Sequence, residues 1–211
     1  MFSKSPMLGK RIVKKAIFVA IVVGLLVGAN SQAAEKSYKF GISDQRTNIT
    51  FESTTDFEVI LGSTHKISGM IVADLDAGTG RVEATVPVDS LRTGIDLRDK
   101  HLRSKKWLDA KSNPTISFIS TSARKVSDNQ WEISGTFTLH GVSREVTVTA
   151  DVRPIPVAAA KKAGMEKGQW VRVLVPLEIK LSDYGVKIPN KAAARVNDTW
   201  KVRILAFAAA R

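Results

Sequence analysis

The sequence predicts an all-β chain, an antiparallel β-barrel of about eight strands with a short helical insertion between strands. Three observations carry that prediction. Apolar residues alternate with polar ones at Val82–Val88, Trp131–Leu139 and Val171–Leu181, the period of a half-buried strand. Compact turn chemistry separates such runs at Asp76-Ala77-Gly78-Thr79-Gly80, Ser127-Asp128-Asn129 and His140-Gly141, which suits antiparallel neighbours. So many evenly spaced strands in one domain must also hide their edges, and closure removes edges altogether, with a two-sheet sandwich as the rival arrangement.

Taken from the start, Lys4, Lys10, Arg11, Lys14 and Lys15 precede an uncharged apolar run, Ala16 to Ala29, followed by Ser31-Gln32-Ala33. That is the pattern of a secretory signal peptide over residues 1–33, with cleavage after Ala33 and export expected. An uncleaved anchor is the rival, but a spanning helix needs about 20 apolar residues, and Asn30 and Gln32 end this run early. The remaining domain, 34–211, suits one core. Loss of the leader's five cations lowers the net charge from +12 to +7. The chain has no cysteine, which excludes disulfides, thiol chemistry and thiolate metal sites.

Further strands are expected at Tyr38–Ile42, Ile49–Ser53, Phe57–Leu75 with a break near Gly62-Ser63, Thr115–Val126, Val142–Val152 and Trp200–Ala208. Two segments interrupt the spacing. Ser90–Lys111 reads as helical, with Asp96 as a cap and Asp99 reaching back in a loose capping box. Ala158–Gln169, AAAKKAGMEKGQ, reads as an extended, solvated hairpin loop. Small residues on the inward stripes (Gly69, Ala73, Ala84, Gly135 and Ala150) either leave volume in the barrel or accommodate close packing.

Several pieces resemble the YceI-like family of periplasmic, lipocalin-like lipid-binding barrels. They are Arg98-Asp99-x-His101-Leu102, Trp107-Leu108-Asp109, Asn113-Pro114-x-Ile116-x-Phe118-x-Ser120, Gly135 to Ser143 and Asp183-Tyr184-Gly185-Val186, in the family's order across roughly Tyr38 to Ala208. The resemblance implies a closed barrel whose long apolar pore takes a polyisoprenoid or another long-chain lipid. The three cleanest stripes hold no ionisable residue, so a ligand lying along them is apolar. Val86, Phe118, Ile133, Phe137, Val148 and Val175 are the expected pore lining, chosen by stripe position away from strand ends.

Between Arg92 and Lys111 seven cations face three aspartates, an excess of +4. This is either a solvated face or a basic rim, with Arg103, Lys105 and Lys106 meeting an anionic lipid head or an anionic membrane surface. Arg98, paired with Asp99 or Asp109, is expected to pin the helix, with His101 packed behind Leu102. His65, His101 and His140 lack close ligand spacing, so no metal is expected. No Gly-x-Ser-x-Gly elbow or phosphate loop opens a helix, so no catalytic residue is assigned and no cofactor other than the lipid ligand is expected. The alternatives are an enzyme acting on a lipid held in the pore and a packed stress-response barrel without ligand. Nucleic acid is not an expected partner, since no strand mixes basic and aromatic residues as a single-strand binder does; a homodimer is compatible with the sequence.

Overall fold

Ten strands are formed: β1 (Lys36–Lys39), β2 (Asn48–Thr54), β3 (Val59–Thr64), β4 (Ser68–Asp74), β5 (Thr79–Pro87), β6 (Thr115–Lys125), β7 (Gln130–Leu139), β8 (Val142–Ile155), β9 (Gln169–Lys180) and β10 (Thr199–Ala210). They belong to a computed structural model that describes residue 1 and residues 35–42, 46–165 and 168–210. The leader expected at 1–33 lies outside the described residues, apart from Met1. Residues 33–211 form one compact unit.

All pairings are antiparallel, in the order β1-β4-β5-β6-β7-β8-β9-β10-β2-β3, and β1 pairs again with β10 to close the ring. Ten strands fill eight barrel positions because two positions are shared. β1 and β2 lie end to end along β10, β1 at Ala209 and β2 from Leu205 to Lys201. β4 and β3 lie end to end beside them. The two interruptions meet: a Cβ on Gly41 would stand 2.7 Å from the Ile67 carbonyl oxygen, and His65 Nδ1 lies 2.6 Å from the Thr47 carbonyl oxygen. Gly41 has φ +75°, a conformation that glycine adopts without a Cβ clash. The break in the expected Phe57–Leu75 strand therefore falls at 65–67, after Gly62-Ser63, and Phe57 precedes β3.

Bulges between Gly80 and Glu83 and between Ser120 and Ser122 bend the sheet toward closure. At the bend the Val82 N–H donates to Ser120 Oγ at 2.7 Å. Gly135 belongs to the same device: a Cβ there would collide with the Ile119 carbonyl oxygen. Gly69, at φ +129°, meets the Glu83 carbonyl oxygen as closely. These two glycines serve close backbone approach, whereas Ala73 and Ala84 do border internal space.

The inward stripes build two stacked apolar clusters, one around Trp131, Ile133, Val173 and Ala206, the other around Phe51, Leu102, Tyr184 and Trp200. Phe51 and Trp200 stack with ring centroids 5.4 Å apart. Helix α1 (Asp96–Arg103) lies at the end of the second cluster and buries Leu102. Its N-cap is Ile95, with no side-chain capping bond, so Asp96 is the first helical residue and no capping box forms. Of the segment expected as an extended loop, the first five residues, Ala158–Lys162, instead fold into α2 (Val157–Lys162). Alanine is the best helix former, and Ala160 gains burial against Trp170 and Ala209.

Candidate functional site

The barrel interior holds two apolar chambers, each of about 110 Å³. Apolar cavities of this order stay dry and accept apolar guests. The first is walled by side chains of β4 to β10 together with Phe40 and Ile67; its one charged member, Arg81, is largely exposed and reaches Glu35 at 3.1 Å. The second is walled entirely by apolar side chains, among them Ile49, Phe51, Leu139, Leu181 and Trp200.

Of the residues expected to line the pore, Phe118, Ile133, Val148 and Val175 face the first chamber and Val86 the second. Phe137 borders both, as does Leu177, so these two side chains form the partition. The Phe137 ring is held edge-on against Tyr184, centroids 5.5 Å apart and planes at 86°. Burial raises the Tyr184 phenol pKa above its ordinary value and Asp183 adds to the rise, while Arg144 opposes it. The residue is thus a neutral phenol under ordinary conditions.

Leu102, Trp107 and Leu108 close the far end of the second chamber, which makes α1 and the following turn a lid. Its anchoring differs from the expected pairing. Arg98 Nη1 reaches Glu58 at 3.1 Å, while its Nε and Nη2 donate to Thr93 Oγ1 and the Thr93 carbonyl oxygen. Buried Asp99 accepts from the Thr93 N–H at 2.8 Å and the Thr93 hydroxyl at 2.6 Å. The pair pins the helix as expected, but through Glu58 and Thr93 rather than through each other or Asp109. His101 is exposed and not packed behind Leu102.

The expected rim residues lie at and just after the end of α1, outside the chambers. Lys105 and Lys106 are exposed on the turn after α1, and Arg103 makes a long 3.5 Å contact to the Leu91 carbonyl oxygen. None of the three borders a chamber. An open groove of about 380 Å³ outside the lid is lined instead by Ile95, Leu97, His101, Lys191 and Arg195, and it shares Leu102, Trp107 and Trp200 with the second chamber. Lys191 and Arg195 lie in a polar connection without strand periodicity, so no pattern in the sequence singled them out. Among the described residues no group of three or more His, Asp or Glu side chains is placed to hold a metal ion. His140, at φ +52° in the β7–β8 turn, bonds the Tyr184 carbonyl oxygen at 3.1 Å.

A closed antiparallel barrel with an apolar lumen and a helical lid is lipocalin-like in architecture. Residues 40–208 match the YceI-like domain, and the chain belongs to the YceI-like family. It is 28% identical over 180 residues to a UPF0312 protein of Pseudomonas aeruginosa, covering 82% of this chain and 88% of that one. A UPF0312 protein of Pectobacterium atrosepticum is 31% identical over 139 residues, 65% of this chain and 71% of that one. In fold it resembles Burkholderia cenocepacia BcnA, with a TM-score of 0.65 at 20% identity, covering 78% of this chain and 98% of BcnA. It also resembles a polyisoprenoid binding domain from Saccharophagus degradans implicated in plant cell wall breakdown, with a TM-score of 0.62 at 19% identity over 83% and 99% of the two chains.

Proposed function

We propose that this protein binds and carries an amphiphilic long-chain lipid, isoprenoid, quinone-like or fatty-acyl, in its lumen and performs no chemistry on it. The observation that carries the reading is the apolar wall common to both chambers. Each buried methylene contributes about 0.8 kcal/mol, so a tail of about 15 carbons grosses roughly 12 kcal/mol before association and ordering costs. The tail therefore sets affinity, while a polar head, worth on the order of 1 to 3 kcal/mol, sets orientation. The leader pattern supports action in the periplasm after cleavage, and the polyisoprenoid-binding relative in the same fold supports a lipid guest.

The test is organic extraction of protein purified from its own source, followed by mass spectrometry, together with uptake of a fluorescent long-chain probe. A stoichiometric, chemically unchanged lipid is expected. No lipid and no probe uptake would sink the reading, and turnover of added lipid would favour an enzyme.

A further inference from the structure

The described surface carries nine large apolar side chains that are exposed, leaving aside Met1, and five of them fall in two short segments: Phe57, Val59 and Leu61, and Ile95 and Leu97. These five are between 53% and 73% exposed. The segments are neighbours. β3 has a ladder partner on one edge only, β2, and on the other edge Ser63 exchanges two backbone hydrogen bonds with Arg92, at 2.8 and 3.0 Å. From that bridge the chain runs antiparallel to β3 until Arg98 meets Glu58 at 3.1 Å. Arg195 joins them, lying 5.6 Å over the Phe57 ring and lining the same groove as Ile95 and Leu97.

Cations surround this apolar strip. Lys100, Lys105, Lys106, Lys191 and Arg195 are all exposed, and none makes an ion pair among the described residues; the nearby acids are Asp56, Asp96, Asp109 in the turn with Lys105 and Lys106, and Glu52, the ladder partner of Leu61, while Glu58 is taken by Arg98. Clustered apolar exposure marks an interaction surface, and an apolar strip rimmed by basic residues matches the boundary of an anionic bilayer. A second copy fits less well, because a two-fold contact presses the same cation-rich patch of both copies together. The strip also adjoins the lid, whose Leu102 and Trp107 wall both the groove and the second chamber.

We propose that this end of the barrel, the outer face of β3 with α1 and the Lys191–Arg195 segment, docks on an anionic lipid bilayer, bringing the lid of the lumen to the membrane surface. The role rests on the lipid-carrying reading, while the docking is measured separately from it. Residues 33–211, which contain the whole barrel, are floated with vesicles of neutral phosphatidylcholine alone or with added phosphatidylglycerol. Lumen binding is followed in parallel with a fluorescent fatty-acyl probe in vesicle-free solution. The protein is expected to favour the anionic vesicles by at least about tenfold, a preference that salt weakens. Lys191→Glu with Arg195→Glu should remove most of that preference, and Phe57→Glu with Leu61→Glu should reduce binding to both vesicles. Ile119→Glu, on an exposed position elsewhere, should change neither, and probe uptake should match wild type in all variants. Equal binding to neutral and anionic vesicles would overturn the proposal, as would an equal loss in Ile119→Glu. So would a wild-type dimer that Leu61→Glu dissociates, which would assign the strip to self-association. Loss of probe uptake in wild type with vesicle preference intact would instead count against the carrier reading alone.

Discussion

At the scale of single residues, Phe137 has the largest leverage on what the lumen can hold. With Leu177 it divides the interior into two chambers, and Tyr184 fixes its ring. Phe137→Ala should join the chambers and shift competition for a fluorescent probe toward longer acyl chains. Its stability cost should stay below the roughly 3 to 5 kcal/mol of a fully buried phenylalanine, because the side chain is only half-buried. An unchanged chain-length profile at intact stability would show that the partition does not select. Asp99 is the structural counterpart. Its two bonds from Thr93 hold the lid, so Asp99→Ala should cost about 1 to 3 kcal/mol in denaturant unfolding and lower probe uptake only through loss of lid order. Abolished uptake at full stability would make Asp99 part of the binding site. Arg98 and Asp99 stood out in the sequence through the family-like piece Arg98-Asp99-x-His101-Leu102, and Asp99 also through its spacing from Asp96. Their partners were out of the sequence's reach, because Glu58 is 40 positions away and meets Arg98 only once β3 packs beside α1.

At the scale of elements, the strands were legible as separate runs, the interrupted ones included, but the sharing of barrel positions was not. β7 and β9 bury every second residue over most of their length, so periodicity alone locates them. β1 with β2, and β3 with β4, share barrel positions through breaks set by tertiary contacts at Gly41 and Ile67, which leave no local signature. Likewise α2 owes its place to Ala160 packing on Trp170, a contact supplied by β9. Across the β8–β9 pair, Asp151 binds Arg153 at 2.8 Å and Arg172 at 2.6 Å. The Arg153 hydrogen bond, helped by that from Arg172, holds the Asp151 carboxyl below its ordinary value despite partial desolvation. The carboxylate's contribution to stability is therefore complete above the unfolded value of about 3.9 and is lost as pH falls through the lower folded value. Asp151→Asn should flatten the acid limb of urea-midpoint against pH, and an unaltered limb would show that the cluster contributes nothing.

For the whole molecule, closure is uneven, and this fixes where the barrel opens. β9 and β10 pair through twelve residues and β7 and β8 through ten, whereas β1 meets β10 at a single pair and β3 has no second ladder. Opening free energy follows the density of paired backbone and buried apolar contacts, so a weak seam runs through β1 and β3, and β8 and β9, which share only the five pairs from Asp151 with Leu174 to Ile155 with Trp170, form another. Such seams could not be read from the sequence, because they depend on how many residues of each strand find partners rather than on the character of those residues. β3 also borders the lid that walls the second chamber, so loosening there changes access to the lumen without disturbing β7 to β10. Native-state hydrogen exchange should therefore show the amides of β1 and the Arg92-facing edge of β3 exchanging well before those bonded within the β7–β8 and β9–β10 ladders. A lipid filling both chambers contacts walls on either side of the seam through β1 and β3 and should slow the fast set more than the slow one. Uniform protection around the ring, or slowing confined to β7 to β10, would mean that the lumen fills by another route.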